Sequence, residues 1–159
     1  MKIFVGSDHA GFGLKQKLTP FLQSLGHEVI DKGATEYDES DDFPDFISQV
    51  AREVSMNPNN VKGIVLGGSG QGEAMLANRF KNVRATVYYG GGKSLVEEDD
   101  SIIKLSRDHN DANILSIGAR FVTDDDALKA VHEWLETSFS GDERHTRRIA
   151  KFDRVIHGE

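Results

Sequence analysis

Gly67-Gly68-Ser69-Gly70-Gln71-Gly72-Glu73 follows the apolar run Ile64-Val65-Leu66 directly and leads into Ala74-Met75-Leu76-Ala77-Asn78. The pattern predicts a strand, a glycine-rich turn and a helix. Glycines let a backbone turn tightly, approach a ligand and aim its N–H groups inward. A helix beginning there adds orphan N–H groups and the positive end of its dipole. Together they make a seat for an anion, either a phosphate or an oxyanion formed during reaction. Glu73 falls in the first helical turn, at the lip of that seat. It has two readings: a residue that suits the helix dipole or a capping box, or a general base beside an oxyanion. The stretch does not fit the dinucleotide fingerprint, because Glu73 stands where glycine or alanine is needed. No Gly-Lys-Ser/Thr closes it, so it is not a P-loop.

Working outward, short apolar runs alternate with helical patterns. Lys2-Ile3-Phe4-Val5-Gly6, His27 to Asp31, Arg84 to Tyr89 and Asn113 to Gly118 read as further strands. Leu14, Leu18, Phe21, Leu22 and Leu25 recur at helical spacing over about 11–25, with Pro20 expected to kink or divide that helix. Phe43-Pro44-Asp45 opens a second helix, and the one leaving the glycine turn is expected to end near Phe80. Residues 93–106 have helical spacing, with an acidic, solvated run from Glu97 to Asp100. Thr123-Asp124-Asp125-Asp126 caps another helix, and Arg144 to Arg148 lie on a last one. Residues 33–45, with the acidic cluster Asp38 to Asp42, read as a loop. Phe43, Phe46, Phe80, Phe121 and Trp134 read as core.

Strand–helix alternation predicts an α/β fold with a mostly parallel sheet, in one domain over residues 1–159. Ligands on such sheets sit at the carboxyl ends of the strands. The net charge of −7 argues against a nucleic-acid partner. No apolar run approaches the ~18 residues of a membrane span, and Met1-Lys2 leads straight into a strand rather than a signal peptide. The chain has no cysteine, which excludes a thiol nucleophile and cysteine metal sites. The expected setting is the cytoplasm.

Three further groups carry chemistry. Asp8-His9 follows the first strand, so it lies on the same sheet edge as the glycine turn. An Asp there can accept from sugar hydroxyls, and a His can donate to phosphate or shuttle protons; turn stabilisation is the alternative. Ser106-Arg107-Asp108-His109-Asn110-Asp111-Ala112-Asn113 offers an acid/base His and a donor Asn, or plain turn chemistry. Arg144 and Arg148, at i and i+4, share a helix face suited to phosphate, and Arg120 could join them. No His spacing of a metal site appears, so no metal and no cofactor are expected.

Four motifs in this order resemble the type B ribose-5-phosphate isomerase family, which also contains galactose-6-phosphate isomerase subunits. They are Gly6-Ser7-Asp8-His9-Ala10-Gly11, the glycine turn with Glu73, Arg107 to Asn113, and Arg144-His145-Thr146-Arg147-Arg148. The resemblance implies a Rossmann-like three-layer sandwich, a homodimer or dimer of dimers with shared active sites, and metal-free aldose–ketose isomerisation of a sugar phosphate through a cis-enediolate. Some members carry a cysteine base at the start of the glycine turn. Gly67 stands there in this chain, and Glu73 matches the branch with a glutamate base.

The resemblance makes Glu73 the base and His109 the ring-opening acid. Ser69 with Gly68, Gly70, Gln71 and Gly72 forms the oxyanion seat. Asp8, His9 and Asn110 contact substrate, and His9, Arg120, Arg144 and Arg148 hold phosphate. His109, Asn110 and Arg120 would come from the second subunit. The segment from Gly90 to Lys104 looks longer than in typical members and bears on substrate size. Ribose 5-phosphate is the expected substrate. The alternatives are allose or galactose 6-phosphate, or a non-catalytic phosphosugar-binding module.

Overall fold

The computed structural model describes residues 1–91, 101–152 and 154. Its elements alternate in chain order: β1 Lys2–Ser7, α1 His9–Ser24, β2 Glu28–Asp31, α2 Phe43–Met56, β3 Val61–Gly67, α3 Gln71–Ala77, β4 Ala85–Tyr88, α4 Ile102–Asp108, β5 Ile114–Gly118, α5 Asp124–Glu136 and α6 Glu143–Ile149. The strands form one sheet of order β2-β1-β3-β5-β4, and every pairing is parallel. This is the expected α/β sandwich.

Successive strand residues point to opposite faces, so each central strand feeds two cores. Ile3, Val5, Ile64, Leu66, Leu115 and Ile117 pack against Leu14, Leu18 and Leu22 of α1 and Val131 and Trp134 of α5. Phe4, Val65 and Ile114 face Ile47, Val50 and Val54 of α2 and Ala77 of α3. With both faces covered, β3 and β5 read as near-continuous apolar runs rather than alternating ones.

Three local expectations need correction. α1 runs undivided through Pro20. Pro20 and Gln16 both lie on the exposed face, so water can serve the carbonyl that the missing N–H leaves open. α3 stops at Ala77 rather than near Phe80, because the Asn78 side chain bonds the backbone of Ala85 (Nδ2 to O, 3.0 Å; N to Oδ1, 2.8 Å) and turns the chain towards β4. Phe121 is not core: it is 64% exposed, on the turn after β5. Of the expected helical stretch 93–106, residues 102–108 form α4, while the acidic run from Glu97 to Asp100 lies outside the described residues. Among the described residues no helix is long and apolar enough to cross a membrane.

The chain leaves β1 towards β2 on one side and leaves β3 towards β4 and β5 on the other. The order therefore switches between β1 and β3, and the crevice at their carboxyl ends is where such sheets bind ligands. Asp8-His9 and the glycine turn both open onto it.

Candidate active site

The glycine turn is pinned from one side. Ala119 N–H donates to Gly67 O (2.8 Å), Arg120 N–H to Gly68 O (3.2 Å) and the buried Ser116 hydroxyl to Gly70 O (2.6 Å). A planar trans peptide sends its N–H opposite to its C=O. Fixing these carbonyls towards β5 and the turn after it therefore aims the N–H groups of Gly68 and Ser69 the other way. Gln71 N–H turns onto Ser69 Oγ (3.3 Å). Gly70, at φ +75°, makes the left-handed step that starts α3, and a side chain on it would press on Ile117 and Gly118.

Glu73 is only 5% exposed. Its carboxyl fills the space beside Gly67 so fully that a Cβ there would fall inside it. Burial pushes its pKa above the usual carboxylate range; a bond from its own backbone opposes this, and the nearby Asp8 charge adds to it. Asp8 caps α1, accepting from Ala10 N–H (2.9 Å) and Gly11 N–H (3.2 Å). His9 is partly buried beside it. A hydrogen bond to the Asp41 carboxylate raises the His9 pKa; burial and Arg120 oppose the rise, and the Asp8 and Asp41 charges reinforce it. A side chain on Gly68 would meet the Arg120 guanidinium at 3.6 Å. Arg120, expected from a second subunit, thus stands with the glycine turn and His9 of its own chain.

His109 and Asn110 sit elsewhere. They lie on the turn before β5, whereas Arg120 follows β5. The five residues of β5 rise about 16 Å, so His109 and Glu73 stand at opposite ends of the sheet within one chain. The His109 ring packs on His145 of α6, centroids 4.2 Å apart and tilted 43°. His109 Nε2 lies 3.3 Å from Asp108 Oδ2. His145 is 3% exposed, with Nδ1 2.9 Å from Ser140 Oγ. Burial lowers its pKa, and His109, Arg144 and Arg148 lower it further against the opposing Asp142 charge. Arg144 and Arg148 are exposed and flank this pair.

The turn carrying Asn110 is held firmly. Arg84 Nε donates to the carbonyls of Asn110 (3.1 Å) and Asp111 (2.8 Å). Arg84 and Arg107 each bond one Asp111 carboxylate oxygen, at 2.7 and 2.8 Å. Asp111 has φ +44°, a left-handed conformation uncommon for a non-glycine residue.

The expected site residues therefore fall into two groups within the chain. Asp8, His9, Gly68, Ser69, Gly70, Gln71, Gly72, Glu73 and Arg120 form one. His109, Asn110, Arg144 and Arg148 form the other. Two contributors were missed in sequence. His145 lay inside a motif without a role, and Asp41 sat in an acidic loop 32 residues from His9 with no spacing to mark it. Asp8, His9 and Asp41 also bring one ligand atom each within 4.8 Å of one another, a grouping that spacing along the chain could not reveal.

The ribose/galactose isomerase family matches residues 3–152. Ribose-5-phosphate isomerase B of Mycolicibacterium paratuberculosis is 40% identical over 158 residues, covering 98% of this chain and 93% of that protein. The Escherichia coli enzyme of the same name is 38% identical over 148 residues, 93% of this chain and 91% of that one. The crystal structure of ribose-5-phosphate isomerase B from Mycoplasma genitalium, with bound ribulose-5-phosphate, superposes with a TM-score of 0.88 at 35% identity, covering 99% of this chain and 97% of that one. The Clostridium thermocellum enzyme gives 0.85 at 40% identity, with 99% of both chains covered. From end to end of its sheet, this chain belongs to the ribose/galactose isomerase family.

Proposed function

We propose that the protein is an intramolecular oxidoreductase that interconverts ribose 5-phosphate and ribulose 5-phosphate without a metal or other cofactor. The observation that carries this is the Glu73 carboxyl, buried beside Gly67 next to the turn that aims backbone N–H groups away from β5. A phosphosugar-binding module would gain nothing from a carboxylate set there, close to where an anion must sit. The relatives named above are ribose-5-phosphate isomerases, which favours the pentose over a hexose phosphate.

In this reading Glu73 takes the proton from the carbon next to the carbonyl and returns it to the neighbouring carbon. The N–H groups of Gly68 and Ser69 and the Ser69 hydroxyl hold the enediolate oxygen; one such donor is typically worth roughly 10²–10³ in rate. Asp8 accepts from a sugar hydroxyl, and His9 and Arg120 hold the phosphate end with Arg144 and Arg148. Anchoring the phosphate places the reacting carbon over Glu73. His109, with Asn110 beside it, protonates the ring oxygen as the furanose opens.

His109 cannot reach Glu73 in its own chain, so the proposed enzyme is at least a homodimer in which each half-site meets the other half-site of its partner. The apolar mouth of the glycine turn suits such a contact: Tyr89 and Phe121, 53% and 64% exposed, line a small cavity there with Ser69 and Gln71. The proposed setting is the cytoplasm.

The test is turnover of ribose 5-phosphate in heavy water, beside allose and galactose 6-phosphates. Deuterium in the sugar and ribulose 5-phosphate as product are expected. Binding without label would leave only a phosphosugar-binding module, and faster turnover of a hexose phosphate would reassign the substrate.

A further inference from the structure

His9 owes its orientation to the acidic loop between β2 and α2. One oxygen of Asp41, Oδ1, accepts from both the His9 backbone N–H (3.0 Å) and the ring Nδ1 (2.6 Å). The Asp41 side chain is 9% exposed, and its other oxygen, Oδ2, is buried with no hydrogen-bond partner among the described residues. A buried carboxylate oxygen without a donor is costly. Structure alone does not require that cost, because an Asn amide oxygen would accept the same two bonds. The charge strengthens the bond to the ring and favours an imidazolium at His9 over the neutral ring.

The loop that delivers Asp41 is itself tied down. Lys15, whose side chain is 3% exposed, donates to Asp31 Oδ2 (2.7 Å) and Ala34 O (2.5 Å). Ala34 N–H donates to Ser7 O (3.0 Å), and Asp41 N–H to Asp38 O (3.1 Å). The His9 ring meets the Tyr37 ring edge-on at 6.2 Å. With Nδ1 held by the loop, Nε2 lies on the opposite side of the ring.

We propose that Asp41 is a positioning residue that locks His9 with Nδ1 inward and keeps it a cationic donor, so that Nε2 is presented to the phosphate group of the substrate. This rests on the phosphate role given to His9 above. The charged and titratable groups that face His9 are Asp8 before α1, Asp38, Asp41 and Tyr37 in the loop, and Arg120 after β5. Losing Asp41 leaves burial and Arg120 opposed by Asp8 and Asp38 among the described residues.

The test uses Asp41→Asn, which keeps an acceptor and loses the charge, and Asp41→Ala, which loses both. Imidazole NMR of His9 is titrated in each protein with and without inorganic phosphate, and KM and kcat for ribose 5-phosphate are measured from pH 6 to 8.5. The His9 midpoint is expected above the ordinary histidine value in the wild type and lower in both variants. Asp41→Asn should raise KM about tenfold at the alkaline end and little at pH 6; Asp41→Ala should raise it at both. kcat should stay within about threefold, the mark of uniform binding. In a His9→Gln background both Asp41 variants should have no further effect on KM.

An unmoved His9 midpoint in Asp41→Asn, or a KM effect that persists undiminished without His9, overturns the proposal. If the wild type fails to turn over ribose 5-phosphate, the functional assignment is at fault, while the NMR titration with inorganic phosphate still decides the part played by Asp41.

Discussion

Replacing Gly67 with Ala puts one carbon where the proposed base sits. A Cβ on Gly67 falls inside the Glu73 carboxyl and only 3.0 Å from its Cγ. Non-bonded carbon and oxygen need about 3.5 Å, so the carboxylate must retreat by roughly 1 Å or more. It cannot do so freely, because Glu73 is 5% exposed and held on α3, which packs against β3, β4 and β5. Overpacking of this kind costs about 1–3 kcal/mol in stability. A base misplaced by about 1 Å can cost 10²-fold in rate. Gly67→Ala should therefore fold with a lowered melting temperature and lose about 10²-fold in kcat, with a much smaller change in KM. The stability penalty should vanish in a Glu73→Ala background, because the colliding atoms are gone. Gly13→Ala is the control: among the described residues nothing lies within 4 Å of its added carbon, so it should leave kcat alone and stabilise α1 by about 0.5–1 kcal/mol. Thermal melts and ribulose formation read both quantities. A Gly67→Ala protein with wild-type kcat would refute the placement of the base.

Glu73→Gln should lower kcat by about 10²–10⁴ while leaving KM within a few-fold. Its effect on stability has a definite sign: the folded pKa of Glu73 is raised, so the wild type loses stability as pH climbs through that pKa, and the variant's melting temperature should gain on the wild type over the same rise. The wild-type kcat/KM should rise as Glu73 ionises and fall again as His9 loses its proton above the ordinary histidine range, a bell that a pH–rate series would trace. Mixing inactive Glu73→Gln and His109→Asn chains in equal amounts, with exchange of subunits, should restore about a quarter of the wild-type sites if each site draws on two chains; no recovery would confine the site to one chain. Asp111→Ala, which strips Arg84 and Arg107 of their shared carboxylate, should cost about 2–3 kcal/mol in denaturant melts, and Asp111→Gly less, because φ +44° suits glycine.

The sequence displayed the sheet clearly because doubly buried parallel strands are apolar runs ended by turn residues, as in Ile64-Val65-Leu66-Gly67. It displayed the glycine turn because only glycine permits the crowding and positive φ found there. The failures share one cause. Phe121 looked like core because hydrophobicity does not say whether a side chain faces the interior, and Pro20 looked like a break because sequence does not say which helix face meets water. Asp41 was only one member of an acidic cluster in a loop because its partner, His9, is 32 residues away.

That last failure bears on how the two half-sites divide the work. Glu73 has to be a carboxylate that tolerates burial, and its neighbour Asp8 makes ionisation harder. Asp41 adds another carboxylate beside Asp8 and His9. The 2.6 Å bond to His9 meets that charge locally, and the Arg120 charge also acts on His9. The group around Glu73 thus sets His9 and Arg120 among its acids, while the group around His109 carries Arg144, Arg148 and a His145 whose pKa burial and the neighbouring positive charges lower. On this division the carboxylates stand where a proton must move, and the cationic half can meet a dianionic phosphate without neutralising the base. In the proposed dimer this also accounts for a chain of net charge −7 holding an anionic sugar: Arg120 follows β5 in one chain, and Arg144 and Arg148 beside the turn before β5 are brought to it by the other.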